Sequence, residues 1–265
     1  MGNMVVPLLR NEITKAARTK LPYFGLIVTS VLCFLIFVVT GATLDGETLN
    51  AWGYTSLSMQ LVFTDIGLIF IAVFASMLIA EETGFGTARA VLSSPLLRWE
   101  FYTAKVLTGL LYAVVMSVIT LVVSVGLGSV NYQFGDVADS MGMIYDGKEV
   151  ILNFIMAFFL SWVPLAALVM YGIFVSTVVR KSGQAVAVAI GTIYLIDFTK
   201  HIVGIDPYIF TRYIGFSWRV FNQVAQGVDY QWSPEVWKMI AMSLIYCFVM
   251  FAGGLVIFSK RDING

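Results

Sequence analysis

Long runs without charge constrain this chain more than any other feature. Leu21 to Leu44 carries no charged side chain, Ala51 to Ala80 carries only Asp65, and Val106 to Gly135 carries none. Backbone in hydrocarbon has no water to bond, so every N–H and C=O must be paired within the segment or around a closed barrel. Barrel strands alternate in polarity and these runs do not, which leaves helices. About 20 apolar residues cross a bilayer. Six runs meet that length: about Pro22 to Gly41, Leu57 to Ala80, Val106 to Val130, Val150 to Val179, Gln184 to Val203 and Met239 to Ser259. Composition agrees, with 59% hydrophobic and 12% charged residues, the latter about half the share of a soluble domain. The expected fold is an all-α integral membrane protein with six transmembrane helices.

The first run follows basic residues, as a signal peptide would. It is longer than a signal core of about 7–15 residues, and no Ala-x-Ala site follows it, so it is expected to stay as an anchor. Residues 1–20 form a separate element ahead of the membrane domain at 21–265. Val5, Leu9, Ile13 and Ala16 recur at helical spacing, with Arg10, Glu12, Lys15 and Arg18 elsewhere on the wheel. That pattern predicts an amphipathic helix lying on the inner leaflet.

Lys and Arg set the orientation. Arg10, Lys15, Arg18 and Lys20 precede span 1; Arg89, Arg98 and Lys105 lie between spans 2 and 3; Arg180 and Lys181 lie between spans 4 and 5; Lys260 and Arg261 close the chain. The loops after spans 1 and 3 hold only Lys148. Both termini and the 81–105 segment are therefore expected in the cytoplasm. Net charge is zero, so no general field favours nucleic acid. The stretch from Gly204 to Lys238 is aromatic, with Tyr208, Phe210, Tyr213, Phe216, Trp218, Phe221, Tyr230, Trp232 and Trp237. Its apolar part is too short to cross, so a re-entrant or interfacial helix before span 6 is expected, with rings at headgroup depth.

Few residues carry chemistry. Cys33 and Cys247 sit in apolar runs and read as small hydrophobes. His201 is the only histidine, which excludes multi-histidine metal catalysis within the chain. No G-x-S-x-G or H-E-x-x-H is present. Gly142 to Lys148 fits G-x-x-x-x-G-K, but Glu149 stands where a phosphate loop needs Ser or Thr, so no ATP site is expected. Asp197, Lys200 and His201 share one helix face. They form either a substrate-contacting or proton-relay cluster, or an ion pair that settles the helix end while Lys200 snorkels outward. Asp65 lies deep in span 2, where a lone carboxylate faces protein, water or a partner. It marks a translocation path, or a polar contact between helices or near the outer mouth. Pro164 lies mid-span and removes one hydrogen bond, which predicts a kink and offers a hinge.

The polar island at 81–105 carries the strongest pattern. Glu81 and Glu82 end span 2; Gly86, Thr87 and Arg89 follow; Ser94, Pro95 and Arg98 make a Ser-Pro-x-x-Arg turn; Lys105 enters span 3. With the surrounding plan, this resembles the ABC-2 class of ABC transporter permeases, small six-span members of the copper-enzyme-maturation and bacteriocin or peptide exporter type. The resemblance implies a transport subunit that is not itself an enzyme. It implies a permease dimer, a homodimer first of all, with two copies of a cytoplasmic ABC ATPase that hold the ATP and Mg. The island would supply a coupling helix, at Thr87 to Leu92 or Leu97 to Ala104, seated in a cleft of that ATPase. An exporter of the prokaryotic cytoplasmic (inner) membrane is implied, with room for an extracytoplasmic accessory protein. Two other classes stay open: an ion-gradient transporter or channel using Asp65 and the Asp197 cluster, and a membrane anchor or scaffold. Low polarity of the spans favours an amphipathic cargo.

Overall fold

A computed structural model describes residues 4–43, 49–84, 97–139, 142–228, 232 and 234–260. In chain order the elements are α1 (Val5–Arg18), α2 (Leu21–Thr43), α3 (Ala51–Leu61), a π-helical turn (Val62–Ile66), α4 (Gly67–Gly84), α5 (Arg98–Asn131), strands β1 (Val137–Asp139) and β2 (Gly142–Tyr145), α6 (Gly147–Val178) and α7 (Ser182–Val203). Two 3₁₀ turns, Asp206–Tyr208 and Phe210–Tyr213, then lead to α8 (Phe216–Ala225) and α9 (Glu235–Lys260). Among the described residues, six helical rods are long and apolar enough to cross a membrane: α2, the continuous α3–π–α4 rod, α5, α6, α7 and α9. The protein is an all-α membrane protein, decorated among the described residues by a two-stranded antiparallel hairpin.

The rods alternate in direction. At one end the Thr83 hydroxyl donates to the Arg180 carbonyl at 3.1 Å, joining the end of α4 to the link between α6 and α7. Arg98 donates to the Ser259 carbonyl at 2.6 Å, joining the start of α5 to the end of α9. At the opposite end the Ala51 N–H donates to the Gln133 carbonyl at 3.2 Å, and Trp52 Nε1 donates to the Gly135 carbonyl at 3.1 Å. There α7 stops at Gly204, whose φ of +73° suits a helix C-terminus and disfavours a side chain.

Close approach of α4 and α6 forms the core. A Cβ at Gly172 would sit 2.6 Å from the Ala75 Cβ, so only glycine admits this contact, the small-residue packing usual where lipid gives no hydrophobic drive. Ser176 on α6 seals the inner part of the seam by accepting the Ile79 and Ala80 N–H groups at 3.0 and 2.8 Å. The α8 helix packs on α3 and α6. Asn50 caps α3 by accepting the Gly53 N–H at 2.7 Å and donates its own amide to the Ala225 carbonyl at 2.8 Å.

Two features differ from the expectation drawn from the sequence. Leu97 to Ala104 is not a separate short helix: Arg98 onward is the first part of α5, because no breaker follows Pro95. The alternative coupling helix, Thr87 to Leu92, lies outside the described residues. Most aromatics before α9 turn inward, with Phe210, Tyr213, Phe216, Trp218 and Phe221 buried, whereas Tyr208 and Trp237 stay exposed. The reason is local: Trp218 and Phe221 meet Phe154 edge-on at 5.8 and 5.4 Å, giving them an aromatic partner that a headgroup layer does not supply. Tyr230 lies outside the described residues. As expected, Pro164 lies inside the span-4 helix, α6, where it is buried.

Candidate functional site: an ionic ring and a mixed-charge cavity

Four charges from three elements meet where the polar island begins and ends. Lys105 Nζ lies 2.5 Å from Glu12 Oε2 and 2.6 Å from Glu82 Oε1. Lys15 Nζ lies 2.9 Å from Glu12 Oε1 and 2.8 Å from Glu82 Oε1. Each ammonium therefore touches both carboxylates, and the ring is neutral. Glu12, Glu82 and Lys105 are buried, while Lys15 keeps 47% of its side chain exposed. Burial lowers the Lys15 pKa, but the hydrogen bonds and charges of Glu12 and Glu82 outweigh it and hold the ammonium above its usual 10.5. Lys105 also lies 5.2 Å from the centroid of the Phe101 ring.

The ring explains how α1 docks. Val5 and Glu12 are its buried residues, and Ile13, on the apolar face expected to lie on the leaflet, is exposed outside the fold. Glu100 adds a second tether by accepting the Met4 N–H at 3.0 Å and the Leu97 N–H at 3.3 Å. Glu82, Arg98 and Lys105 thus have partners inside the chain, Arg98 on the last carbonyls of α9. Glu81 is half-buried at the end of α4. Gly86, Thr87, Arg89, Ser94 and Pro95 lie outside the described residues. The sequence reading missed Glu12, Lys15 and Glu100 as site residues, since an acidic residue on an amphipathic helix ordinarily faces water.

The second feature is a cavity of about 340 Å³ among α4, α7, the 3₁₀ turns and α8. Asp65 and Asp197, predicted separately, both line it. At 1.5 Å per residue, Asp65 stands about 28 Å along its rod from Gly84 and Asp197 about 22 Å along α7 from Ser182. Those two helix ends adjoin, so the carboxylates sit at comparable height. The π-helical turn presents both Thr64 and Asp65 to the cavity, which a regular α pitch, with about 100° between neighbours, does less readily. A Cβ at Gly215 would overlap the Thr64 hydroxyl, so glycine lets the 3₁₀ segment close over this turn.

Most charges in the cavity wall neutralise one another. Lys200 pairs with Asp197 on the same helix and lies 3.5 Å from Asp206, which in turn pairs with Arg212. The predicted ion pair therefore extends into a chain of four. Lys200 is buried rather than snorkelled, because Asp206 meets it from the following turn. The side chain of His201 lies outside the described residues. No sequence period links Asp206 to Arg212 or Arg219, which is why reading by pattern did not find them. Among the described residues no His, Cys, Asp and Glu group has the arrangement of a metal site. Gly147, from the false phosphate-loop pattern, donates its N–H to the Asp136 carboxylate at 2.7 Å.

Residues 8–197 match the family described as ABC-2 family transporter protein. The chain is also 25% identical over 220 residues to the Uncharacterized protein YhcI of Bacillus subtilis (strain 168), a match covering 81% of this chain and 69% of that protein. The chain belongs to the ABC-2 transporter family. It is a multi-pass membrane protein, and the family implies the permease component of an ABC transporter.

Proposed function

We propose that this chain is the permease of an exporter and that a separate cytoplasmic ABC ATPase docks on the segment joining Gly84 to Leu97. ATP and Mg belong to that ATPase. A second copy of this chain completes the pathway, with one ATPase for each copy, and the termini face the cytoplasm.

One observation carries the reading. The ionic ring and the Arg98 and Glu100 contacts tie α1, the end of α4, the start of α5 and the end of α9 into one body, and that body bounds the 85–96 segment on both sides. A push delivered to this segment reaches three spans and the surface helix together. Glu82, Arg98 and Lys105 then act as anchors of the docking segment, and Gly86, Thr87, Arg89, Ser94 and Pro95 as its contact surface. Glu81 stands at the junction. Pro164, inside α6, is offered as the point where that rod flexes.

The test is copurification of the tagged chain from its native host. An ABC ATPase in equal amount is the expected result. Arg89→Glu should release it while the permease stays monodisperse; retention of a full, coupled complex by that variant removes the segment as the dock. Proton-driven uptake without any ATPase, abolished by Asp65→Asn, would replace the reading with a gradient-driven transporter.

A further inference from the structure

We infer that the mixed-charge cavity binds a small zwitterion, with its ammonium at Asp65 and its carboxylate or phosphate at Arg219. The inference rests on the permease reading, because it makes the cavity a station on the transport path.

The cavity wall holds three carboxylates, Asp65, Asp197 and Asp206, and three cations, Lys200, Arg212 and Arg219. Asp197, Lys200, Asp206 and Arg212 are engaged with one another. Asp65 and Arg219 are exposed and remain outside every ion pair among the described residues. They are opposite in sign and come from different elements, one on the π-helical turn and one on α8. A ligand with a single charge would satisfy one and leave the other without a counter-charge in the cavity. A ligand with both charges satisfies both.

Two further observations favour a ligand over a merely solvated wall. Thr211 lines the cavity and is buried with 8% of the residue exposed, and its hydroxyl has no hydrogen-bond partner. A buried hydroxyl without a partner is the exception in native proteins. The volume of about 340 Å³ lies at the small end of ligand sites, about 300–1,000 Å³. It admits an amino acid or the headgroup of an aminophospholipid and excludes a folded peptide. Both sources share the ammonium–anion dipole.

The purified full-length permease, without ATPase, tests this by thermal unfolding and titration. The probes are glycine and glycerophosphoethanolamine in solution, and nanodiscs of phosphatidylethanolamine against phosphatidylglycerol. At least one zwitterionic probe should raise the unfolding midpoint. Binding of a soluble probe assigns a free solute, and stabilisation by phosphatidylethanolamine alone assigns a lipid headgroup. Methylamine and acetate, each half of the dipole, should bind at least about tenfold more weakly, as expected for loss of one charged hydrogen bond. Asp65→Asn and Arg219→Gln should each cost a similar factor. The site is overturned if no zwitterion stabilises the protein, if either half binds as well as the whole, or if both variants keep wild-type affinity. Each of those results leaves ATPase copurification untouched, so the two readings fail separately.

Discussion

Lys105 is the residue on which the ionic ring most depends. It is the fully buried cation between two buried carboxylates, and Lys15 alone, half in water, cannot replace it. Lys105→Met should cost about 3–5 kcal/mol, the range for stranding a buried charge, seen as a lower thermal midpoint in detergent. Glu12→Gln added to Lys105→Met should recover part of that loss, because one stranded carboxylate is removed. Full additivity would mean that the two groups do not interact. The pH dependence of Lys15 has a definite sign. Its pKa is raised above 10.5 on folding, so its contribution is complete below 10.5 and is lost as pH rises through the higher folded value. The mobility of a spin label on α1 should therefore stay flat from about pH 6 to 9 and rise only in strong alkali. None of this was legible from the sequence. Glu12 is spaced like a solvent-facing residue, and nothing local announces that Lys105, far along the chain, will meet it.

The elements were more legible than their contacts. Apolar length located the six rods, because a backbone in lipid has little choice but to be helical. The π-helical turn at Val62–Ile66 left no such trace, since one extra residue in a turn does not disturb a run of apolar side chains. It nevertheless aims Asp65 into the cavity. Deleting Thr64 should restore a regular pitch and turn Asp65 away. Stabilisation by the zwitterionic probe should then vanish while far-UV helicity is unchanged; unaltered binding would remove the turn from the site. The direction in which α8 turns its aromatics was also hidden, because Trp218 and Phe221 suit a headgroup layer and a protein core equally well. Their partner Phe154, on another helix, decides the matter. The docking of α1 has a consequence of its own. Glu12→Ala should leave the ATPase bound but weaken the dependence of transport on ATP hydrolysis. Normal coupling with α1 undocked would show that the helix is only a surface decoration.

At the scale of the whole molecule, the two features lie at different heights in one bundle. The ring stands at the end where α4, α5 and α9 meet, and the cavity about 22–28 Å further along the rods. The α4 helix joins them directly, since Glu82 and Asp65 belong to the same continuous rod. Movement at the proposed docking segment would thus reach the cavity through one continuous rod. Basic residues at the ring end, Arg18, Arg98, Arg180, Lys181 and Lys260 among them, support the proposal that this end faces the cytoplasm, by the bias of Lys and Arg. This central claim has a direct measurement. With Cys33 and Cys247 replaced by Ala, single cysteines at Arg89 and Ile144 can be cross-linked in native membranes. The account predicts a product between residue 89 and an ABC ATPase, and none from residue 144 in the hairpin. A product from residue 144 with none from residue 89 would contradict it.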